Sequence, residues 1–307
     1  MIRFLEHSTI DKSKWDRCIE SSPNRLIYAA SWYLDIVSPG WSALVEHDYT
    51  SVFPLTRRKK FGFHYLYQPP FTQQLGLFGK EPSGNTEQLL QFLVTIPSMF
   101  KLVEINLNSQ NDLHAYVENF AVFPKRTYVL SLDNTFENIR KHYRDDLHRN
   151  IRKAEKNNLH IENDLSTAEI IGLFKSNKGR NLKTLSEKDY ENYVTLIAKA
   201  TEKDRVQQRT IRNSDGKLIA GAIFLRSYGE YVFHFSATGP EARENGAMPF
   251  LIDAFIREHA GEKMKLDFEG SMDPNLARFY KGFGSKEVVY LQIRRNNLPA
   301  LIRRFKS

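Results

Sequence analysis

The chain has 307 residues, of which 41% are hydrophobic and 12% aromatic, and it carries a net charge of +8. This composition excludes a disordered chain, and a length near the limit of a single hydrophobic core favours two domains. Cys18 is the only cysteine and no apolar run is long enough to span a bilayer, which excludes an intrachain disulfide and a membrane span, so we expect a cytoplasmic protein.

Hydrophobic periodicity and turn residues predict a definite order of elements in the first half of the chain. These elements are a strand at 3–7, helices at 13–21 and 28–37, strands at 42–47, 50–56 and 62–67, a helix at 86–99, a strand at 102–107, a helix at 111–119 and a strand at 128–132. The run Arg57-Arg58-Lys59-Lys60 is expected in a hairpin loop, where consecutive charges are usually solvated.

The second half repeats that order. Its elements are a long helix at 135–157, a strand at 159–162, helices at 167–178 and 187–202, strands at 206–212, 218–227 and 230–237, a helix at 249–260, a strand at 264–268, a helix at 274–280 and a strand at 287–293. Asp215-Gly216 predicts a tight hairpin turn, because glycine accepts the positive φ that such turns require.

Both halves run through a helix pair, a three-strand meander, a helix, a buried strand, a short helix and a final strand. We interpret this as a structural duplication and predict an α/β fold of two mixed-sheet domains in tandem, at 1–133 and 134–307. A single larger α/β domain with a coincidental order is the alternative. Ligands of such sheets bind at the carboxyl ends of strands, here those at 230–237 and 264–268.

The first candidate site is the strand-to-helix segment that contains Arg243, Asn245, Gly246 and Ala247. Exposed N–H groups at a helix N-terminus favour phosphate, and Arg243 adds a charge-assisted contact. We therefore predict that this segment binds the phosphates of a donor or cofactor. An ordinary loop is equally compatible with the local sequence.

A second candidate is the carboxylate Glu269, which follows the buried strand at 264–268. A carboxylate at the mouth of a buried strand is suited to take a proton from an attacking ammonium, so Glu269 is the predicted base. A cap of the helix at 274 is the alternative, and a structural role is favoured for Asp267. His234 is predicted to border the cleft and contact substrate, with a structural histidine as the alternative.

The third candidate lies on the helix at 274–280 and just after it. Tyr280 and Lys281 are both suited to stabilise an oxyanion or to protonate a leaving group. No pair of histidines has helical metal-ligand spacing, so we expect no metal site.

A basic row that includes Arg149 and Arg152 runs along the predicted helix at 135–157, beside an apolar stripe at helical spacing. These arginines are candidates for holding a polyphosphate or a tRNA backbone. A solvated helix face is the alternative.

Two segments resemble the Fem-like branch of the GNAT acyltransferase superfamily. Arg149-Asn150-Ile151-Arg152-Lys153-Ala154-Glu155-Lys156 looks like the Arg-x-x-Ile-Arg-Lys-Ala signature that enters the second GNAT-like half. Asp267-Phe268-Glu269-Gly270, followed by Arg278-Phe279-Tyr280-Lys281-Gly282-Phe283-Gly284, looks like the closing strand and the Phe-Lys-x-x-Phe-Gly-type segment. The order of elements extends this resemblance over most of the chain.

The resemblance implies two GNAT-like domains in tandem, with the donor bound by the C-terminal one. It also implies transfer of an amino acid from aminoacyl-tRNA, or of an acyl group from CoA, to a small-molecule or cell-wall-precursor-like amine. The catalytic lysine of the Fem family corresponds to Lys281, or to Tyr280 if the register shifts by one. The CoA-binding motif is matched by Arg243, Gly246 and Ala247 but departs at the following Met248, which leaves both donors open.

We therefore expect an N-acyltransferase that works by direct transfer. Two alternatives remain from other classes of protein. One is a non-catalytic RNA-binding or polyanion-binding protein that uses the basic helix and the basic C-terminal tail. The other is a degenerate duplicated scaffold that binds a partner protein, since a fold does not establish a function.

Overall fold

The computed structural model describes residues 1–80, 86–113, 119–181, 185–270 and 272–299. The chain folds into two compact units, the first formed by Met1–Lys125 with the segment from Val289 onward, and the second by Arg126–Val288. The expected division after residue 133 differs from this one because one strand enters the second unit at Arg126 and the last strand returns to the first. The helix predicted at 111–119 lies largely outside the described residues.

The first unit follows the predicted order up to its buried strand. Its elements are β1 (Ile2–Leu5), α1 (Lys12–Ser21), α2 (Ser31–Val37), β2 (Ser42–Glu46), β3 (Ser51–Leu55), β4 (Arg57–Lys60), β5 (Phe63–Leu66), β6 (Phe78–Gly79), α3 (Thr86–Thr95) and β7 (Phe100–Asn106), with short 3-10 helices at His7–Thr9 and Ile27–Ala29. The charge run expected in a loop forms β4, because its backbone pairs with β5 while its side chains stay in solvent.

Two sheets make up the first unit. One has the order β1-β2-β3-β6 with antiparallel pairs throughout. In the other, β4 pairs antiparallel with β5, β5 pairs parallel with β7, and β7 pairs antiparallel with the last strand of the chain, β14, defined below. The interior is aromatic, and among its fully buried side chains are Trp15, Tyr33, Trp41, Phe53, Phe78, Phe92 and Phe100.

The segment 67–77, between β5 and β6, is held by buried amide side chains. Leu75 bridges in parallel to Leu107, just past the end of β7. The Asn111 Oδ1 atom accepts the N–H of Leu77 at 2.7 Å, and the Asn108 Nδ2 group donates to the carbonyl oxygens of Leu75 and Leu77, both at 3.2 Å. Because buried backbone groups must be paired, these amides help to fix a loop that lies outside the named strands.

Cys18 of the first unit lies on α1 and is buried, with its Sγ atom 3.8 Å from the carbonyl oxygen of Thr50 and 4.0 Å from that of Phe78. Burial raises the pKa of the Cys18 thiol to about 11. The thiol is therefore protonated and shielded in the folded unit.

The second unit completes the duplicated order. Its elements are β8 (Ala121–Ser131), α4 (Phe136–Arg140), α5 (Asp145–Lys156), β9 (Ile161–Glu162), α6 (Thr167–Ser176), a 3-10 helix at Lys178–Asn181, α7 (Glu187–Glu202), β10 (Val206–Arg212), β11 (Leu218–Arg226), β12 (Glu230–Thr238), α8 (Pro240–Asn245), α9 (Ala247–His259), β13 (Lys265–Asp267), α10 (Pro274–Lys281) and β14 (Lys286–Asn296). The end strands β8 and β14 each run from one unit into the other.

A mixed sheet forms the centre of the second unit. The strands β9, β10, β11 and β12 pair antiparallel in that order, β12 pairs parallel with β13, and β13 pairs antiparallel with β8. The continuous apolar run of β11 is buried except at its last residue, as expected for a central strand covered on both faces. The core against α5, α9 and α10 includes Leu147, Ile151, Leu251, Phe255 and Phe268.

Two helix predictions differ from the structure. The single helix expected at 135–157 is broken into α4 and α5, because the N–H of Arg144 donates to the Gly282 carbonyl at 2.8 Å and its guanidinium binds Asp146, which holds Arg144 in an extended conformation. The loop expected before the helix at 249 contains α8, which begins at Pro240. None of the helices in the described ranges combines the length and the apolar character required to cross a membrane.

Candidate active site

The parallel strands β12 and β13 diverge at their carboxyl ends. They pair at three positions, from Glu230 with Lys265 to Val232 with Asp267. The chain after β13 continues along β8, where the N–H of Phe268 donates to the carbonyl of Tyr128 at 2.9 Å. The second half of β12 is thereby separated from β13, and a gap opens at the sheet edge where ligands of α/β proteins usually bind.

A cavity of about 370 Å³ occupies this part of the second unit. It is lined by Asn150, Phe174, Lys178, Phe233, Ser236, Ala237, Thr238, Ala242, Arg243, Gly246, Met248, Pro249, Leu276, Phe279 and Tyr280. Its walls are mostly apolar, with two cationic side chains and one phenol among them. That combination is typical of a small-molecule site in which a few polar groups fix the orientation of the ligand.

His234 lies at an irregularity in β12. Ile223 of β11 faces Phe235 and the next residue, Phe224, faces Phe233, so His234 is an extra residue in the strand. Such a bulge redirects side chains and is frequent beside active sites. The ring of Tyr193 contacts both His234 and Phe235, which shows that these two neighbours share a face.

A turn stabilised by Asp267 positions Glu269. The Asp267 carboxylate accepts the hydroxyl of Thr127 and, at 2.8 Å, the N–H of Glu269. Glu269 itself has a φ of +49°, a conformation that is costly for a residue with a side chain and often marks a functional site. Gly270 follows because a Cβ there would lie 2.1 Å from the carbonyl oxygen of Arg126. Asp267 thus has the structural role favoured from the sequence.

The carboxylate of Glu269 faces a buried hydrogen-bonded pair. Its Oε1 atom lies 3.9 Å from His234 Nε2, and His234 Nδ1 is 3.0 Å from the hydroxyl of Tyr193. The His234 side chain has no solvent exposure, whereas 17% of the Glu269 side chain is exposed. The Glu269 side chain is therefore partly exposed to solvent, and its Oε1 atom is directed toward the His234–Tyr193 pair. The helix cap considered as an alternative for Glu269 is supplied instead by Asp273.

Tyr280 lies in the cavity wall, and Glu269, which is outside the cavity lining, is near enough for its charge to affect the Tyr280 phenol. Its ring stacks on Phe268 with centroids 5.0 Å apart. Burial, and then the charges of Glu269 and Asp267, raise the pKa of the Tyr280 phenol far above its usual value. No hydrogen bond joins the Tyr280 hydroxyl to another residue in the described part of the chain. A protonated phenol at this position can donate to a ligand in the cavity.

Lys281, next to Tyr280, is outside the cavity lining. Its ammonium lies 3.0 Å from the Glu287 carboxylate and 5.4 Å from the ring centre of Tyr128, and half of the side chain is exposed. Adjacent residues of a helix point about 100° apart, so only one of the two can face the cavity. Of the two candidates for this role, the structure brings Tyr280 to the cavity and places Lys281 in an ion pair.

The junction between α8 and α9 forms another wall. Gly246 joins the two helices with a φ of +72°, and a Cβ there would lie 2.3 Å from the carbonyl oxygen of Asn150 on α5. Both the conformation and this close approach require glycine. Arg243 and Gly246 line the cavity, and the helix geometry leaves the N–H groups of Ala247 and Met248 without acceptors inside α9.

The other predicted contact residues lie outside the cavity lining. Ala247 is fully buried, and the side chain of Asn245 accepts a hydrogen bond from Asn157 at 2.9 Å. Arg149 and Arg152 are exposed on α5, with Arg152 Nε donating to the carbonyl of His148 at 3.3 Å. Their neighbour Asn150 lines the cavity, because it lies on the side of α5 that faces α9.

Several lining residues were not anticipated. Phe174 and Lys178 come from α6 and the 3-10 helix after it, and Tyr193, which is outside the lining but contacts His234, comes from α7. Only the packing of these helices on β12 brings them to the site, and no local motif marks them. Asn150 belongs to the segment that carries the family resemblance, so that signal was available for it.

The sequence matches no protein-family model and no curated protein. Solved structures do match in fold. The structure of FemX aligns with 13% identity and a TM-score of 0.68 over 98% of this chain and 100% of that one. L-PGS from Bacillus licheniformis aligns with 13% identity and a TM-score of 0.55 over 86% of this chain and 87% of that one.

A third similar structure is the C-terminal domain of a putative lysylphosphatidylglycerol synthetase from Agrobacterium fabrum, with 11% identity and a TM-score of 0.55 over 96% of this chain and 94% of that one. The chain therefore has the fold of the Fem-like, GNAT-type acyltransferases. The resemblance expected from two short segments is confirmed at the level of the fold.

Proposed function

We propose that the second unit transfers an acyl or aminoacyl group from an activated donor directly to an amine. The observation that carries this proposal is the position of Tyr280 in the cavity wall, where the charge of Glu269 helps to raise the pKa of its phenol. The Tyr280 phenol is kept protonated by burial, and the Glu269 carboxylate has access to solvent. Together they supply the proton donor and the proton acceptor that acyl transfer to an ammonium requires.

In the proposed reaction, Glu269 accepts a proton from the ammonium of the acceptor, and the resulting amine attacks the carbonyl carbon of the donor. A C–N bond forms as the C–S or C–O bond to the donor breaks. The leaving sulfur or oxygen receives the proton of Tyr280, and the nitrogen of the new amide gives its surplus proton to the resulting Tyr280 phenolate. Direct attack is proposed rather than a cysteine thioester, because the only cysteine of the chain, Cys18, is buried in the first unit.

The wall formed by α6, α8 and α9 is suited to the phosphates of a donor. Arg243 and Lys178 supply two positive charges, and the start of α9 supplies N–H groups. The first turn of α9 offers one backbone N–H group fewer than usual, because Pro249 has none. These residues fit a phosphate-bearing donor in general, so acyl-CoA and aminoacyl-tRNA both remain candidates, with a small-molecule or cell-wall-precursor-like amine as acceptor.

Transfer assays on three variants test the assignment. With acyl-CoAs and charged tRNAs as donors and a panel of amines, Tyr280→Phe and Glu269→Gln are each expected to lower kcat about 100-fold, since each removes one proton-transfer group. Lys281→Ala, the neighbouring control, should change kcat less than about threefold because its ammonium pairs with Glu287. Wild-type rates in the Tyr280 and Glu269 variants would refute the mechanism, and a large loss only in the Lys281 variant would reassign the acid.

Thermal unfolding with each donor separates the two donor classes. A donor present at about 100 times its Kd adds roughly 2.7 kcal/mol of apparent stability. Stabilisation by acyl-CoA that is lost in Arg243→Ala would support a CoA donor. Stabilisation by charged tRNA alone would support aminoacyl transfer.

A further inference from the structure

The β4–β5 hairpin of the first unit has an exposed phenylalanine at its tip. Phe61 and Gly62 form a two-residue turn between the paired residues Lys60 and Phe63. Both turn residues have positive φ, +50° and +82°, which is the pattern of a type I′ hairpin. The first position of such a turn favours asparagine or glycine, and a bulky side chain there is strained. Neither hairpin stability nor solubility explains a phenylalanine that is 80% exposed.

The strand that leads to Phe61 is uniformly basic. Arg57 is tied to the fold through Glu6, at 2.6 Å, and Arg58 lies over the ring of Tyr67. Lys59 and Lys60, nearer the tip, are exposed and form no ion pair with an acid in the described ranges. Residues 57–67 contain no aspartate or glutamate. The end of the hairpin therefore presents two uncompensated charges around an apolar apex.

A second apolar side chain lies at the same end of the sheet. Because β5 and β7 run parallel, with His64 opposite Phe100, the turn before β5 and the residue before β7 are at one edge. That residue, Met99, is 37% exposed. The edge thus combines an apolar tip, a neighbouring apolar side chain and lysines with long flexible stems.

We propose that this hairpin tip docks on an anionic lipid surface, with Phe61 inserted at the level of the headgroups and Lys59 and Lys60 bound to lipid phosphates. Lysine stems lie along apolar surface while their ammonium groups reach the headgroups, and each such charge strengthens binding to an anionic membrane. The inference is independent of the chemistry proposed for the second unit.

Single-stranded RNA is the other anionic partner with which basic and aromatic side chains are compatible. It is bound in grooves where flat ring faces stack on bases. Phe61 is instead at a projecting apex, and the Lys60 ammonium lies 5.2 Å from its ring centre, which covers one face of the ring. The geometry therefore favours insertion by the tip over stacking on bases.

Flotation of the full-length protein with vesicles tests this proposal. Vesicles of phosphatidylcholine mixed with phosphatidylglycerol should carry the protein, and vesicles of phosphatidylcholine alone should carry much less. Phe61→Asn places the favoured Asn-Gly pair in the turn, so it should fold at least as well as the wild type while losing most vesicle binding. Lys59→Gln and Lys60→Gln should each weaken binding about fivefold, with a reduced dependence on salt.

Two control variants change similar groups elsewhere. Val94→Gln removes another highly exposed apolar side chain, and Lys153→Gln with Lys156→Gln removes two exposed charges from α5. Neither should alter vesicle binding by more than about twofold. Equal binding by the wild type and Phe61→Asn would overturn the proposal, as would an equal loss in the controls. Failure to bind vesicles, with Phe61-dependent binding of polyuridine instead, would overturn it in favour of RNA.

Discussion

The two units have a similar order of elements but differ at the strand that is represented by β12 in the second unit. In the second unit, β12 continues past the end of its pairing with β13, with one bulge at His234, and a cavity borders its second half. In the first unit, the strand that corresponds to β12 is interrupted. Its two parts, β5 and β6, are joined by the segment 67–77, and Leu75 of that segment pairs with the chain at the end of β7.

This difference shows how the same arrangement of strands can be shaped in two ways within one chain. A bulge adds a single residue and redirects a few side chains, so the gap beside β13 stays open. An inserted segment occupies the corresponding place in the first unit and satisfies its own backbone groups with Asn108 and Asn111. The same sheet edge thus supports a cavity in one copy and a closed polar network in the other.

Filling the cavity of the second unit should have the largest effect. Ser236→Phe puts a large side chain into the wall formed by β12 and is expected to lower kcat at least about 100-fold by displacing the donor or acceptor. The free energy of unfolding should change little, because the side chain enters open space. Transfer assays and urea unfolding measure the two quantities, with Thr195→Phe on the exposed face of α7 as the control. Full activity in Ser236→Phe would show that the cavity is not the reaction site.

Opening the network of the first unit should cost stability. Asn111→Ala leaves the N–H of Leu77 buried without its acceptor, and we expect a loss of about 2–3 kcal/mol in the free energy of unfolding. Urea denaturation measures it, and Asn192→Ala on α7 should stay within about 0.5 kcal/mol of the wild type. A loss no larger than that of the control would mean that water replaces the amide and that segment 67–77 is not fixed by it.

A smaller effect concerns two carboxyls of the second unit, the buried Asp267 and the partly buried Glu230. Burial raises the pKa of Asp267, and burial together with the charge of Asp267 raises that of Glu230. The folded unit then binds more protons than the unfolded chain above the ordinary carboxyl pKa near 4, so these groups lower stability as the pH rises above that value. Glu230→Gln should remove part of this decline. Urea unfolding at about pH 5 and about pH 8 should show the variant gaining on the wild type, by roughly 1 kcal/mol, at the higher pH.

An equal difference between wild type and Glu230→Gln at the two pH values would contradict this pKa assignment. His160→Gln, far from these carboxyls in sequence and exposed on the surface, serves as a control for general effects of charge.

The sequence allowed the order of elements to be predicted because each strand and helix carries its own period. The continuous apolar run of β11 and the alternation in β5 could be read directly. The break at Arg144 could not, since it depends on the carbonyl of Gly282, far away in the chain. The bulge at His234 is equally invisible, because an extra residue in a strand leaves the local pattern of residues unchanged.

The sequence positions of the candidate site residues could be predicted, but the directions of their side chains could not. Glu269, Tyr280, Arg243 and Gly246 could be singled out from the ends of strands and helices. Whether Tyr280 or its neighbour Lys281 faces the cavity depends on the rotation of α10, which is set by the packing of Tyr280 on Phe268. Lys178 and Tyr193 come from helices that approach β12 only in the folded unit.

The buried thiol of Cys18 can serve as a probe for local opening of the first unit. Cys18 sits under the edge of β3 and β6, so a thiol reagent can reach it only when α1 moves away from these strands. If opening and closing are fast relative to the chemistry, the labelling rate gives the free energy of that opening. The sequence contains no second cysteine, so all thiol labelling reports on Cys18. One reagent added to the unmodified protein would therefore measure the free energy of this local opening without an engineered probe.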